Sequence, residues 1–275
     1  MIHKSVLLQE SIDGLHLENK GIFVDATYGA GGHSRYVREK YPNISIIAFD
    51  QDPNVSSDEV ELIHKNFREI DSLGRGFDAI LFDLGTSVDQ IKESGRGFTF
   101  ERDEPLLMNM SGEGITAKDI LNNWDEETIK TILRAYGDEK FSGRIAREVV
   151  ASRPIETTLK LVDVVKRATP KFYHFKKIHP ATKTFQALRI AVNDEFSALR
   201  EGLQKSFGLL NPGGRMAVIS FHSLEDREVK KFFRKLEDEG LGKRVTKKPI
   251  VAAEEERKEN PRSRSAKLRI FEKND

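Results

Sequence analysis

An apolar run, Ile22-Phe23-Val24-Asp25-Ala26, passes directly into Thr27-Tyr28-Gly29-Ala30-Gly31-Gly32-His33-Ser34. A short, continuously apolar run reads as a strand buried on both faces of a sheet, and the glycines after it as a sharp turn into a helix. Glycine at such a turn lets backbone N–H groups approach a ligand with no Cβ in the way. A second run, Ile46-Ile47-Ala48-Phe49, ends in Asp50, about 20 residues past the glycines, the spacing at which a carboxylate grips the hydroxyl pair of a ribose. Two strand ends therefore point at one adenosine.

The kind of adenosine compound follows from what the loop lacks. A phosphate-binding P-loop closes with Gly-Lys-Ser/Thr, which this chain does not contain, and a dinucleotide fingerprint wants a third Gly or Ala where Ser34 stands. Asp25, opening the loop, suits a pyrophosphate poorly and an ammonium well. A cationic adenosine compound carrying an amino acid fits better, and that compound is S-adenosylmethionine.

Of the 275 residues, 38% are apolar and 32% charged, ordinary for a soluble globular chain with one large domain or a domain with an insertion. No run approaches a membrane span, and Met1-Ile2-His3-Lys4-Ser5 lacks the apolar core of a secretory signal, so a cytoplasmic location away from membranes is expected. The absence of cysteine excludes disulfides and thiolate metal sites, and the seven histidines are scattered without ligand spacing, so no metal is expected.

A net charge of +1 hides a local bias. No acidic residue lies between Asp163 and Asp194, whereas Lys166, Arg167, Lys171, Lys176, Lys177, Lys183 and Arg189 do, interleaved with Phe172, Tyr173, His174, Phe175 and His179. Positive charge serves phosphates and aromatic faces stack on splayed bases, which makes Lys171, Lys176, Lys177, Lys183 and Arg189 candidate RNA contacts. A second basic stretch, Lys243 to Arg269, is diluted by Glu254, Glu255, Glu256 and Glu259.

Strands are expected at 22–26, 44–49, 60–64, 79–82 and 216–220, with helices between most of them, which means a parallel sheet covered on both faces. Asp52-Pro53 reads as a helix N-cap with proline at the first helical position. From about Thr116 to Pro170 the pattern is helix after helix: Ile129, Ile132, Leu133 and Tyr136 repeat behind Asp125, then Phe141, Ile145 and Val149 repeat every four residues up to Arg153-Pro154. A third helix is expected from Thr157–Thr158 to Pro170. Without strand partners these helices suggest an inserted domain at 111–189, inside a sheet domain of 1–110 and 190–275. Phe185, Leu188, Val192, Phe196, Leu199 and Leu203 form the stripe of one long helix, which turns at 209–215 into the strand 216–220. Residues 266–271 then close the sheet as an edge strand.

Several blocks are more distinctive than periodicity. They include His3 through Glu10, Asp25 through Ser34, Asp50-Gln51-Asp52-Pro53, Phe77 through Gly85, Arg96-Gly97-Phe98, His179 through Glu195, Pro212 through Arg227 and Asn260 through Leu268. In these the chain resembles, over nearly its whole length, the bacterial 16S ribosomal RNA cytosine-N4 methyltransferases, the ribosomal RNA small subunit methyltransferase H family. The resemblance implies an α/β fold, a Rossmann-like class I S-adenosylmethionine-dependent methyltransferase with an inserted helical domain. It further implies N4-methylation of a cytidine in the decoding region of 16S rRNA within the small ribosomal subunit. The cofactor contacts it implies are Gly31, Gly32, His33, Asp50, Phe67, Asp83 and Gln90, with Phe67 an apolar wall for adenine.

Departures from the family pattern fall at Val88 and Asp89, within Asp83-Leu84-Gly85-Thr86-Ser87-Val88-Asp89-Gln90, and at Leu107 and Asn109, where the family usually carries a carboxylate and a guanidinium. They bear on substrate recognition more than on cofactor binding. They leave two other readings open: a methyltransferase for DNA cytosine or a small molecule, and a turnover-deficient cofactor- and RNA-binding assembly factor.

Methyl transfer to an exocyclic amine is an in-line displacement, for which the protein must position the nitrogen about 3 Å from the methyl and exclude water. Cytosine N4 is a poor nucleophile because its lone pair is delocalised into the ring. Acceptors for its amino protons localise that pair, and Asp83 with the turn after it occupies the place where amino-methyltransferases put such acceptors. Ser220, His222 and Asp226 are too closely spaced for a hydrolase triad, and no Gly-x-Ser-x-Gly elbow exists. Asn193 and His222 are read instead as lining the substrate mouth, and which of Asp83, Asn193 and His222 is catalytic stays open.

Overall fold

The computed structural model describes residues 4–85 and 94–275. They fall into two compact units, residues 1–86 with 196–275, and residues 87–195. The larger unit holds α1 (Leu8–Leu15), β1 (Ile22–Asp25), α2 (Gly32–Lys40), β2 (Ser45–Phe49), β3 (Glu61–Ile63) and β4 (Phe77–Asp83). The smaller has α3 (Ala117–Asn123), α4 (Glu126–Gly137), α5 (Ser142–Ala151), α6 (Thr158–Ala168), α7 (Lys171–His174) and α8 (Thr182–Asn193). The chain then continues with α9 (Glu195–Leu209), β5 (Leu210–Ser220), α10 (Ser223–Asp238), β6 (Gly242–Arg244), α11 (Glu254–Glu259) and β7 (Lys267–Lys273).

The strands of the larger unit form one sheet in the order β3-β2-β1-β4-β5-β7-β6. The first five are parallel, and β7 runs antiparallel to both β5 and β6. Successive residues on a strand face opposite sides, and here both sides are dry. Val24, Ile80, Phe82 and Val218 enter one core with Leu199 and Leu203 of α9 and Val229 and Phe233 of α10. Their chain neighbours Phe23, Ala79, Leu81 and Ile219 enter the other with Ile12 and Leu15 of α1 and Val37 of α2. This is a Rossmann-like α/β sheet, and its strand runs are continuously apolar because neither face meets water.

Several expectations need correction. Asp52-Pro53 starts no helix: Asp52 Oδ1 accepts the Asn54 N–H at 3.0 Å and Asn54 Nδ2 at 2.8 Å, closing a turn instead. The long helix is two, because Asp194 adopts a left-handed conformation (φ 47°, ψ 42°) between α8 and α9, a state an Asp side chain tolerates. Strand β5 begins before the Pro-Gly-Gly turn: Leu210 already pairs with Phe77 and Arg215 with Ala79, so residues 211–214 bulge out between two rungs. Strand β7 is interior, and the edge beyond it is the three-residue β6.

The domain boundary also differs from 110. Leu106 and Met108 are fully buried in the core of the helical unit among Ile129, Leu133, Ile145, Val149, Leu161 and Leu188, with Phe98 and Phe100 packed against it. Residues 94–110 belong to that unit, as do 190–195. No helix among the described residues is long and apolar enough to cross a membrane.

Candidate active site

In an open parallel sheet, ligands bind beyond the carboxyl ends of the strands, at the point where strand order reverses. That point lies between β1 and β4, and three carboxylates mark it. Asp25 ends β1, Asp83 ends β4, and Asp50 follows β2, the strand beside β1.

The glycine loop is sewn to these strand ends. Tyr28 N–H donates to Phe49 O at 2.9 Å, and Gly29 N–H donates to Asp50 Oδ2 at 2.8 Å. The other Asp50 oxygen accepts the Asp52 N–H at 2.9 Å. Gly31 takes φ +71° as the N-cap of α2, and a Cβ there would stand 2.5 Å from Tyr28 Oη; a Cβ on Gly32 would overlap Ser5 Oγ. Glycine at Gly31 thus suits both the left-handed turn and the close approach of Tyr28. No side chain caps α2, so its first-turn N–H groups keep their attraction for an anion.

Asp25 is 1% exposed. Its Oδ2 accepts Ser34 Oγ at 2.6 Å and its Oδ1 accepts Thr27 N–H at 3.2 Å, so it anchors the loop from below. Burial pushes its pKa up to about 6, against the pull of those two hydrogen bonds, and the charge of Asp50 adds to the rise. Burial likewise raises Asp50 above the usual carboxylate range, opposed by the N–H groups of Asp52 and Gly29. Asp83 is pushed up to about 7, chiefly by burial; Arg262 opposes this, and Asp25 and Glu225 add to it. The Asp83 N–H donates to Thr27 Oγ1 at 2.7 Å, fixing the end of β4 to the end of β1. Among the described residues, its buried Oδ1 has no hydrogen-bond partner.

His33, 4% exposed, sets Nε2 3.2 Å from Val6 O and Nδ1 3.8 Å from Asp83 Oδ2. With Nε2–H donated to that carbonyl, Nδ1 faces Asp83 at an ion-pair distance too long for a hydrogen bond. The segment carrying Val6 is itself held by α11 and the residue after it: Leu7 N–H donates to Glu256 Oε1 at 2.9 Å, and Asn260 Nδ2 donates to Lys4 O at 2.9 Å.

Phe67 opens a 3₁₀ turn and is half-buried, with its ring edge-to-face on Phe82 at 5.4 Å and its side chain filling the place where a Cβ on Gly202 would go. His222 is the N-cap of α10: its Nδ1 accepts the Glu225 N–H at 3.3 Å, while Glu225 Oε2 accepts Phe221 N–H at 2.8 Å and His222 N–H at 3.2 Å. Gln90, with the departures at Val88 and Asp89, lies outside the described residues.

In the helical unit Asn193 acts as a clamp. Its Nδ2 donates to Met108 O and Arg189 O, both at 2.8 Å, and its Oδ1 accepts the Met110 N–H at 2.8 Å. Nearby, Asn109 is buried with its amide donating to Glu113 O at 3.3 Å, and Leu107 is half-buried. Lys183 caps α4 through Asp138 O at 2.7 Å, and Arg189 makes a two-pronged pair with Glu195 at 2.7 and 2.8 Å. Lys171, Lys176 and Lys177 are exposed.

Residues that sequence reasoning passed over are Thr27, Ser34 and Arg262. Ser34 was read only as a misfit to the dinucleotide fingerprint, yet it is the hydroxyl that holds Asp25. Arg262 lies near enough to weigh on Asp83 and has its guanidinium 5.9 Å from the centre of the Phe221 ring. Its signal was the block beginning at Asn260.

The comparisons with known proteins agree with one another. The ribosomal RNA small subunit methyltransferase H of Nostoc punctiforme is 46% identical over 282 residues, covering 98% of this chain and 94% of that protein. The protein of the same name from Lactobacillus johnsonii is 40% identical over 310 residues, covering 98% of each. A solved rRNA methylase from Streptococcus thermophilus aligns over 100% of this chain and 99% of its own at 14% identity and a TM-score of 0.45, a likeness too weak to add to these. The description of the MraW methylase family matches residues 1–274. With that match and relatives 40–46% identical along nearly its full length, the chain belongs to the MraW methylase family.

Proposed function

We propose that the protein transfers a methyl group from S-adenosylmethionine to N4 of a cytidine in the decoding region of 16S rRNA in the small ribosomal subunit. The observation that carries this reading is the arrangement of Asp50, the glycine loop and Asp83 around adjacent strand ends at the sheet's reversal point. The names of the relatives supply the ribosomal substrate.

The residues present fit the cofactor. Each Asp50 oxygen accepts one backbone N–H, and a carboxylate has about four acceptor positions, so two remain for a ribose hydroxyl pair. The uncapped start of α2, at Gly31, Gly32 and His33, suits the amino-acid carboxylate, and the orphaned Asp83 Oδ1 is a buried acceptor at the opposite side of the reversal point. Phe67 supplies an apolar wall beyond Asp50, and the family resemblance adds Gln90 to the set. When bound, the cofactor supplies an electrophilic methyl on a sulfonium.

Asp83, when ionised, accepts an N4–H of cytidine and localises the lone pair on nitrogen. As the N4–carbon bond forms and the sulfur–carbon bond breaks, the proton that N4 sheds passes to Asp83, whose burial-raised pKa of about 7 matches a base to neutral pH. His33 stands behind the carboxylate, with its Nδ1 3.8 Å from Asp83 Oδ2. This displacement needs no metal. The helical unit meets the RNA through Lys171, Lys176 and Lys177, and the reaction belongs in the cytoplasm, where ribosomes are.

Incubation with methyl-labelled cofactor and unmodified small subunits, followed by digestion to nucleosides, tests this. N4-methylcytidine is expected. Label found only on a carbon, a ribose or a guanine, or duplex DNA methylated as well as subunits, would overturn it.

A further inference from the structure

The helical unit exposes apolar side chains beside α7. Phe172 is 64% exposed, Phe175 87% and Ile178 60%, and Lys171, Lys176 and Lys177, all exposed, alternate with them. The residues between face inward. Tyr173 is buried, and its hydroxyl donates to Glu139 Oε2 at 2.8 Å; Glu139, 2% exposed, also accepts the Phe141 N–H at 2.8 Å. Thr169 Oγ1 and His174 Nε2 lie 2.9 Å apart. The segment is therefore pinned from beneath by Tyr173 and His174, while Phe172, whose ring meets Phe141 edge-on at 6.3 Å, and Phe175, the residue that ends α7, stay largely exposed.

We propose that Phe172 and Phe175 form a stacking platform for unpaired bases of single-stranded RNA, with Lys171, Lys176 and Lys177 at the flanking phosphates; this rests on the reading of the protein as an RNA methyltransferase. Sequence alone could not separate the stacking rings from the anchoring one, since Tyr173 and His174 sit in the same run. Charge complementarity selects the partner: the chain carries no carboxylate between Asp163 and Asp194, so the patch suits a polyanion. A planar ring flanked by cations is how sequence-tolerant single-strand binders hold bases. A membrane-surface helix needs a longer continuous apolar face, and α7 has four residues.

The test measures fluorescence anisotropy of a labelled, unstructured oligoribonucleotide with the full chain. Phe172→Leu with Phe175→Leu keeps apolar bulk but removes the ring faces, and at least about tenfold weaker binding with an unchanged salt slope is expected. Phe172→Trp with Phe175→Trp should bind at least as well as wild type. Lys171→Gln, Lys176→Gln and Lys177→Gln together should reduce the slope of log affinity against log salt by about 2, at roughly 0.7 per phosphate for a single strand. Wild-type RNA affinity in the double Leu variant overturns the platform. So does ring-dependent binding to phosphatidylglycerol vesicles without RNA binding, or a change of oligomeric state when the rings are replaced. Methyl transfer to small subunits, run on the same variants, keeps the two readings apart. Transfer without ring-dependent RNA binding sinks the platform alone, and ring-dependent RNA binding without transfer sinks the proposed reaction alone.

Discussion

The carboxylate of Asp50 accepts the backbone N–H of Gly29 at 2.8 Å. The acid at the end of β2 thus holds the glycine loop at the end of β1, and the residue assigned to the ribose also sets the shape of the loop beside it. Asp50→Ala removes both roles. Cofactor affinity is expected to fall by roughly 1.5–3 kcal/mol, the worth of hydrogen bonds to a charged group, with RNA affinity unchanged. Calorimetric titration of each ligand checks this, and equal losses for both would contradict it.

Gly31→Ala forces a side chain into φ +71° and against Tyr28 Oη. The left-handed conformation alone costs about 1–2 kcal/mol, and the collision adds to it. Adding Tyr28→Ala should recover the steric part and leave the conformational part, so a double-mutant cycle by urea denaturation should be non-additive. Simple additivity would mean that the two residues do not meet.

Asp25 and Asp83 carry pKa values near 6 and 7 in the fold, from 3.8 ordinarily. The folded protein therefore binds protons that the unfolded chain has released. The stability this contributes is full below about pH 4 and lost as pH rises through 6 and 7. Asp83→Asn should therefore gain on the order of 2 kcal/mol over wild type at pH 8 and little at pH 4, as read by thermal unfolding at the two values.

The same group shapes activity. If Asp83 must be ionised to accept from N4, kcat/KM rises with pH to a plateau above about 7. Asp83→Asn should lower kcat/KM and flatten the rise. A variant that kept the wild-type pH profile would remove Asp83 from the proton path.

Asn193→Ala leaves Met108 O, Arg189 O and Met110 N–H without their side-chain partner. At about 1 kcal/mol each, the helical unit should lose roughly 2–3 kcal/mol. Activity well below the new melting temperature should keep its pH profile, as a clamp requires. An altered profile would point back to a role in chemistry.

What could be read in the sequence was whatever local spacing dictates. The place of Asp50 at a strand end was legible because strand length and loop length together fix its distance from the glycines, whereas Asp83 was singled out through the family resemblance, and the structure places it at the end of β4. The break at Asp194 was not, since the apolar stripe runs unchanged from Phe185 to Leu203 across a single left-handed residue. Strand β6 was missed because Gly242-Lys243-Arg244 has no apolar pattern and is a strand only by pairing with β7. Residues 94–110 have no period at all, yet Leu106 and Met108 are buried by contacts distant in sequence. Asn193 and His222 were recognised as special residues, but periodicity does not reveal that backbone groups occupy the Asn193 amide or that His222 Nδ1 caps α10.

The hold of Glu256 and Asn260 on Leu7 and Lys4 has a consequence for how the protein is made. Translation runs from the first residue to the last, so the strip that carries Val6 to His33 stays loose until the segment around residue 260 has left the ribosomal exit tunnel. Strand β4 likewise waits for β5 through synthesis of the whole helical unit. The support of His33 beside the glycine loop is complete only once that segment has emerged. Nascent chains arrested before Glu256 should be cut near residue 7 by protease, whereas the released chain resists.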